Sequence, residues 1–237
     1  MTRHIGIAAV SAEGAALCYR TVCAEAPALL GRHAHPEVTM HTYPLSDYMR
    51  HIEADRWDEV GSMLLSSAEK LRSAGADFLI CPDNTAHQAL DLVRERSPLP
   101  WLHIAEEVSE VAANRGFKRL LLLGTRFLME GPVYPAKLRH KGIACDIPGA
   151  AERQRINEFT FDELVYGRFE GPARSYFRRV IDDGKRAGAD GVALACTEFP
   201  LLISDGDSSL PILDSTRILA RAAVRAAVSE SVLPEVG

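Results

Sequence analysis

Ala74-Gly75-Ala76-Asp77-Phe78-Leu79-Ile80-Cys81-Pro82-Asp83-Asn84-Thr85 decides how this chain folds, because its opening tetrad returns once, as Ala187-Gly188-Ala189-Asp190, 113 positions later. Each copy reads as a helix end, a Gly turn, an apolar strand (Phe78-Leu79-Ile80, then Val192-Ala193-Leu194) and a polar cluster. The same offset makes Asp83 the counterpart of Cys196, and Asp83-Asn84-Thr85 that of Cys196-Thr197-Glu198. A second echo, Leu99-Pro100-Trp101-Leu102-His103 against Leu210-Pro211-Ile212-Leu213-Asp214 at an offset of 111, carries the similarity into the following strand. Duplication explains this better than chance. The expectation is two pseudo-symmetric lobes, each bringing the carboxyl end of a strand to one cleft between them, where open parallel sheets bind ligands.

Strands and helices alternate along the rest of the chain, the pattern of a mostly parallel sheet flanked by helices in an α/β protein. Strands are expected near residues 4–10, 37–43, 77–82, 100–104, 119–124, 143–147, 190–195 and 211–214. Apolar residues at three- and four-residue spacing predict helices at 58–73, 85–96, 106–115, 133–141, 161–166, 172–187 and 215–229. Gly75, Gly116, Gly142 and Gly188 stand where helix C-caps belong. The polar run 149–157 reads as a surface crossing or cleft rim, and 204–209 as a turn-rich loop. These divisions place the first lobe at 1–103 together with 214–237, the C-terminal helix returning to it, and the second at 104–213.

Composition bounds the function. A 237-residue chain with 47% hydrophobic residues can bury two cores, and its net charge of −5 lacks the basic footprint of a nucleic-acid binder. No apolar run approaches the roughly 20 residues of a spanning helix, so no membrane role is expected. Five widely spaced cysteines (Cys18, Cys23, Cys81, Cys145, Cys196) argue against a disulfide framework and for a reducing, cytoplasmic setting. Neither Cys-x-x-Cys nor His-Glu-x-x-His occurs, and no metal is expected; there is likewise no Walker loop or dinucleotide fingerprint. Cys18 and Cys23, five residues apart on the first helix, suit packing rather than joint metal binding.

A strand that stops at Asp83 before a helix starting near Thr85 leaves backbone N–H groups for an anion such as a carboxylate. Cys196-Thr197-Glu198 repeats the arrangement, and there a helix dipole is expected to favour the thiolate over a free thiol of pKa about 8.5. Asn84, Thr85 and Thr197 add side-chain hydrogen bonds, Thr125 stands after the fifth strand, and Ser11 follows the first. The ligand expected from this is an anion such as a small carboxylate.

At these residues the sequence resembles the aspartate/glutamate racemase superfamily, over nearly the whole chain. The resemblance rests on Asn84-Thr85-Ala86-His87, Ala195-Cys196-Thr197-Glu198, Gly124-Thr125-Arg126-Phe127 and Phe161-Asp162-Glu163-Leu164-Val165-Tyr166-Gly167. It implies two similar α/β lobes, an amino acid or a related carboxylate as the ligand, inversion of an amino-acid Cα without pyridoxal phosphate or any other cofactor, and a homodimer. In that family one cysteine of each lobe serves as acid or base. Cys196 fits the second-lobe cysteine; Asp83 stands where the first-lobe cysteine belongs.

Three readings of Asp83 follow. It acts as the opposing acid/base, its carboxyl raised from an intrinsic pKa near 4 by partial burial. Alternatively the enzyme works on one face with Cys196 alone, as superfamily decarboxylases and cis–trans isomerases do, or keeps the site for binding without turnover. Third, Cys81, two residues back on the strand, replaces the missing thiol. Aspartate-specific relatives hold the side-chain carboxylate with an Arg where this chain has Tyr48, with Arg50 nearby, and with a Lys where Val165 stands. Losing both cations favours a neutral, aromatic or otherwise larger substrate. Ala8-Ala9-Val10-Ser11 also replaces a Gly-Gly-Met loop. His87, Glu163 and Glu198 are candidate supporting residues, His87 more as a hydrogen-bonding structural residue than as an acid, and His103, the counterpart of Asp214, is expected at the hinge.

Overall fold

The computed structural model describes residues 2–229, which form two parallel four-stranded sheets flanked by helices. The chain divides into two compact units, one running to Ile104 and resuming at Thr216, the other Ala105–Ser215.

In the first unit the elements are β1 (Ile5–Ala9), α1 (Ala12–Glu25), α2 (Pro27–Leu30), β2 (Val38–Thr42), α3 (Leu45–Ile52), α4 (Trp57–Ser73), β3 (Phe78–Ile80), α5 (His87–Val93) and β4 (Trp101–Leu102). The sheet order is β2-β1-β3-β4. The second unit opens within α6 (Ile104–Asn114) and continues with β5 (Arg119–Leu123), α7 (Arg126–Glu130), α8 (Val133–His140), β6 (Ala144–Asp146), α9 (Ala150–Asp162), α10 (Gly171–Arg186), β7 (Gly191–Leu194), α11 (Phe199–Leu202) and β8 (Ile212–Asp214). Its order, β6-β5-β7-β8, is the same permutation. α12 (Ser215–Val228) then packs Leu219, Ala220, Ala223 and Val224 into the first unit's core with Ile5, Ile7, Cys18, Val22 and Ile80. The central strands β1, β3 and β7 are buried from end to end and β5 from Leu120 onward, so they read as continuous apolar runs rather than alternating ones.

The duplicated tetrad has a structural cause. Gly75 and Gly188 take φ of 93° and 99°, a region costly for any residue with a Cβ, and reverse the chain out of α4 and α10. The Asp that follows fastens the neighbouring strand. Asp77 Oδ2 accepts from the His4 N–H at 2.6 Å, just before β1, and Asp190 accepts from the Lys118 and Arg119 N–H groups at 2.7 and 3.0 Å, at the start of β5. In both units the Asp backbone N–H returns a bond, to His4 O and to Arg119 O, each at 2.9 Å. Gly116 and Gly142 also lie at positive φ after α6 and α8.

All eight expected strands are present, mostly shorter at the ends. The helices bring corrections. The polar run read as a surface crossing belongs to α9, whose N-terminus is secured by the Gly149 N–H donating to Glu152 Oε2 at 3.1 Å. Its buried residues are only Ile156, Phe159 and Thr160, too narrow a stripe to show through the polar sequence. The helix expected at 161–166 is instead the end of α9, a break at Glu163 and a 3-10 turn, Leu164–Tyr166, closed by Gly167 at φ 71°. Helix α5 begins at His87 rather than near Thr85, after a turn through Asn84 and Thr85.

Candidate active site

Two strand ends carry the candidate chemistry, one in each unit. In the first, β3 leads through Cys81 and Pro82 to Asp83, which is half-buried, while Asn84, Thr85 and His87 behind it are buried. Asp83 Oδ1 accepts from the Ala86 N–H at 2.8 Å, capping the turn into α5. The Ile104 N–H donates to His87 Nε2 at 3.2 Å, so Nδ1 carries the ring proton and donates to the Asp83 carbonyl at 2.7 Å. His87 is therefore a neutral, fully buried link, as its structural reading anticipates. The His103 ring stacks edge-on against it at 4.4 Å, with His103 Nε2 3.3 Å from Asp91 Oδ1.

Ser11 follows β1, the strand beside β3, and its Oγ accepts from the Gly14 N–H at 3.3 Å to cap α1. Tyr48, on α3, is wholly buried. Burial, with the charges of Cys81 and Asp83 adding to it, pushes its phenol far up. The Tyr48 hydroxyl makes no hydrogen bond of ordinary geometry, although Ser67 stands beside it. Arg50 faces outward and pairs with Asp47 at 3.1 Å. Cys81 is also wholly buried, and burial followed by the Asp83 charge pushes its thiol well up. It is a packed thiol, which removes the ground for its replacing the missing cysteine.

In the second unit β7 leads through Ala195 to Cys196, 7% exposed. Its Sγ donates to Glu198 Oε2 at 3.0 Å, and Thr197 Oγ1 donates to the same oxygen at 2.9 Å. Glu198 is 2% exposed, and its other oxygen, Oε1, is buried with no hydrogen-bond partner. An unsatisfied buried carboxylate oxygen costs about 1–3 kcal/mol or more, a burden typical of working sites. The full helix expected behind Cys196 is corrected: α11 has four residues and leaves its axis after Leu202, so only one turn of dipole faces the thiol. The carboxylate of Glu198, not a helix, governs the thiol's surroundings.

Thr125 follows β5, the strand beside β7, and its Oγ1 accepts from the Leu128 N–H at 3.3 Å to cap α7. It occupies the same place in its unit as Ser11 does in the other. Asn157, on α9, accepts from the Arg126 N–H at 3.0 Å and supports this loop; the sequence reading had assigned it no role. Glu163 sits at the break after α9, where its carbonyl accepts from the Tyr166 and Arg168 N–H groups at 3.1 Å each, and Val165 lies in the 3-10 turn that follows. Cys145, half-buried on β6, has its thiol pushed up to about 11 by burial and then by Asp146. Among the described residues no cluster of three or more His, Cys, Asp or Glu could hold a metal ion, and no helix is long and apolar enough to cross a membrane.

Twin parallel sheets, each with a hydroxyl cap after its first strand and a candidate proton-transfer side chain after its third, define a two-unit α/β protein. Comparison with known proteins gives that class its family. Residues 7–223 match the profile of the Asp/Glu/Hydantoin racemase family, and the chain belongs to it, an isomerase of the racemase class. The broad specificity amino-acid racemase RacX of Bacillus subtilis (strain 168) is 25% identical over 193 residues, 80% of this chain and 81% of the relative. The crystal structure of an aspartate racemase homologue from Pyrococcus horikoshii OT3 superposes with a TM-score of 0.82 at 27% identity, covering 97% of this chain and all of the other, 100%. The aspartate racemase of Picrophilus torridus, 23% identical, shares the fold with a TM-score of 0.78 over 95% of this chain and 94% of its own.

Proposed function

We propose that this protein is a cofactor-independent amino-acid racemase or epimerase in which Asp83 and Cys196 exchange protons with opposite faces of the substrate Cα. The observation that carries the reading is the buried thiol of Cys196 donating to Glu198 at the end of β7. A thiol that donates to a carboxyl oxygen is held protonated and placed to return a proton to Cα, and Glu198 is the acceptor within reach when Cys196 is to act as base. Asp83 as carboxylate takes the α-proton, Cys196 as thiol returns one on the other face, and the pair is left as carboxylic acid and thiolate. Proton exchange with water resets it, or the reverse reaction does. For unperturbed groups that exchanged pair lies about 6 kcal/mol above the starting one, so tuning at both ends is required for two-way turnover.

Asn84, Thr85 and Thr125 are assigned to the substrate carboxylate, and Thr197, whose hydroxyl donates to Glu198 Oε2, joins them by exchanging that bond for one to substrate. A hydroxyl that accepts a backbone N–H, as Thr125 and Ser11 do, still carries a proton of its own to donate, and such fixed donors stabilise the negative charge that builds up beside Cα. Tyr48 in the place of an Arg, and Val165 in that of a Lys, fit an amino acid with a neutral or aromatic side chain. RacX, named for broad specificity, is consistent with this.

The testing experiment is proton NMR in D₂O with paired L- and D-amino acids, neutral and aromatic side chains included, on the wild type and Cys196→Ala. Loss of the α-proton signal from both enantiomers in the wild type, abolished in the variant for the enantiomer deprotonated on the Cys196 face, is the expected result. A wild type that exchanges no α-proton would sink the assignment. One observation favours a second reading: Asp83 Oδ1 is already engaged by the Ala86 N–H, so Asp83 can be a capping residue and Cys196 the lone proton donor of a decarboxylase or cis–trans isomerase. Turnover of a substituted malonate or an unsaturated diacid, with no α-exchange, would establish that alternative; binding without any turnover would point to a non-catalytic homologue.

A further inference from the structure

The chain passes from the first unit to the second between Ile104 and Ala105, and back between Ser215 and Thr216. Ile104 and Ser215 are counterparts in the repeat, each following the echoed pentapeptide and each opening a helix, α6 and α12. Both are tied directly to a strand end that carries a candidate catalytic side chain. In the first unit the Ile104 N–H donates to His87 Nε2 at 3.2 Å, and the same ring donates through Nδ1 to the Asp83 carbonyl at 2.7 Å. In the second, Ser215 Oγ donates to the Leu194 carbonyl at 2.9 Å, the last residue of β7 and two before Cys196.

The groups forming these ties are buried, with His87, Ile104, Leu194 and Ser215 all at 0% exposure. Water therefore does not compete for the bonds at Ile104 and Ser215, and breaking either strands a polar group in the core, while the His87 bond to the Asp83 carbonyl is part-buried. The two ties are built from opposite directions. His87 comes from beyond the strand end and reaches the crossing's backbone, whereas Ser215 comes from the crossing and reaches the strand's backbone.

We infer that His87 and Ser215 are positioning residues that lock the Asp83 and Cys196 strand ends to the two chain crossings, each acting on its own proton-transfer face. The role in turnover rests on the racemase reading above; the tie itself does not. A crossing that shifts when substrate binds would carry the attached strand end with it, so each face is held to the motion of one crossing. His87 is also the only side chain in this link with a donor and an acceptor on one rigid ring, which is why the two arms can be cut separately.

The test uses three variants of the full chain. His87→Asn retains a donor near the Nδ1 position for the Asp83 carbonyl, and His87→Gln retains an acceptor near the Nε2 position for the Ile104 N–H. Amide hydrogen exchange is expected to run about tenfold faster at Ile104 in His87→Asn and to stay near wild type there in His87→Gln. Exchange of the α-proton is expected to slow about tenfold in both, only for the enantiomer deprotonated on the Asp83 face. Ser215→Ala is expected to slow only the enantiomer handled by Cys196. Unchanged Ile104 protection in His87→Asn overturns the tie whether or not the protein racemises anything. Equal slowing of both enantiomers in any of the three overturns the face-by-face role while leaving the racemase reading intact.

Discussion

The ends of β3 and β7 occupy the same place in twin sheets, yet the hydrogen bonds of their side chains run in opposite senses. Asp83 is half-buried, with one oxygen accepting a backbone N–H, a setting that suits an anion. Cys196 is buried and donates a hydrogen bond to Glu198 Oε2, a setting that holds a thiol beside its own acceptor. Two equivalent positions thus receive different roles from their surroundings, and chemical asymmetry enters a symmetric scaffold through a few side chains.

The largest break in this comparison comes from Cys196→Ala. It removes the candidate proton-transfer group of its face, and exchange of the enantiomer deprotonated on that face is expected to fall by about 10³ or more, read by loss of the α-proton signal in D₂O. Asp83→Ala should fall next, by about 10² and on one enantiomer only, leaving the Cys196 face at work. Asp83→Cys sharpens the contrast by making the two ends chemically alike: the exchange rates of the two enantiomers are expected to converge. Glu198→Gln keeps the shape but replaces the charged acceptor of the thiol, and a drop of about tenfold to a hundredfold confined to the Cys196 face is expected in single-enantiomer exchange.

A smaller effect concerns stability. The residue before the capping hydroxyl is Val10 in the first unit and Gly124 in the second. A Cβ on Gly124 would stand 2.6 Å from Leu128 Cδ2 and 3.0 Å from the Ala195 carbonyl oxygen, next to Cys196. Gly124→Ala is expected to cost about 1–3 kcal/mol, measured by urea denaturation. The smallest is Cys81→Ala, which should destabilise the core yet leave α-exchange on both enantiomers, because the wholly buried thiol of Cys81 is packing.

The fold was legible because its central strands are almost wholly buried and α4, α6, α8 and α10 are followed by Gly, so apolar runs and punctuation coincide with those elements. The edge strand β4 has two residues, too few to mark its own limits, and α9 is polar enough to read as a loop. At the site, the cysteine and aspartate could be picked out by the repeat. Glu198 could be seen as a candidate, and its spacing of two from Cys196 was the signal that it reaches the thiol; that both Cys196 and Thr197 converge on one oxygen needed coordinates. The dipole expected behind Cys196 failed because Glu198-Phe199-Pro200 opens only a single turn, and helix length is set by where the chain must go next. The links from His87 to Ile104 and from Ser215 to Leu194 join residues 17 and 21 positions apart, beyond any local pattern.

Asp77 and Asp190 fasten β1 and β5 from six residues upstream of Asp83 and Cys196. The part of the motif that secures the fold is thereby separate from the part proposed to meet the substrate. A strand tip can carry a thiol in one unit and a carboxylate in the other while the strand beneath stays registered, so its chemistry can be altered without the scaffold having to be reinvented.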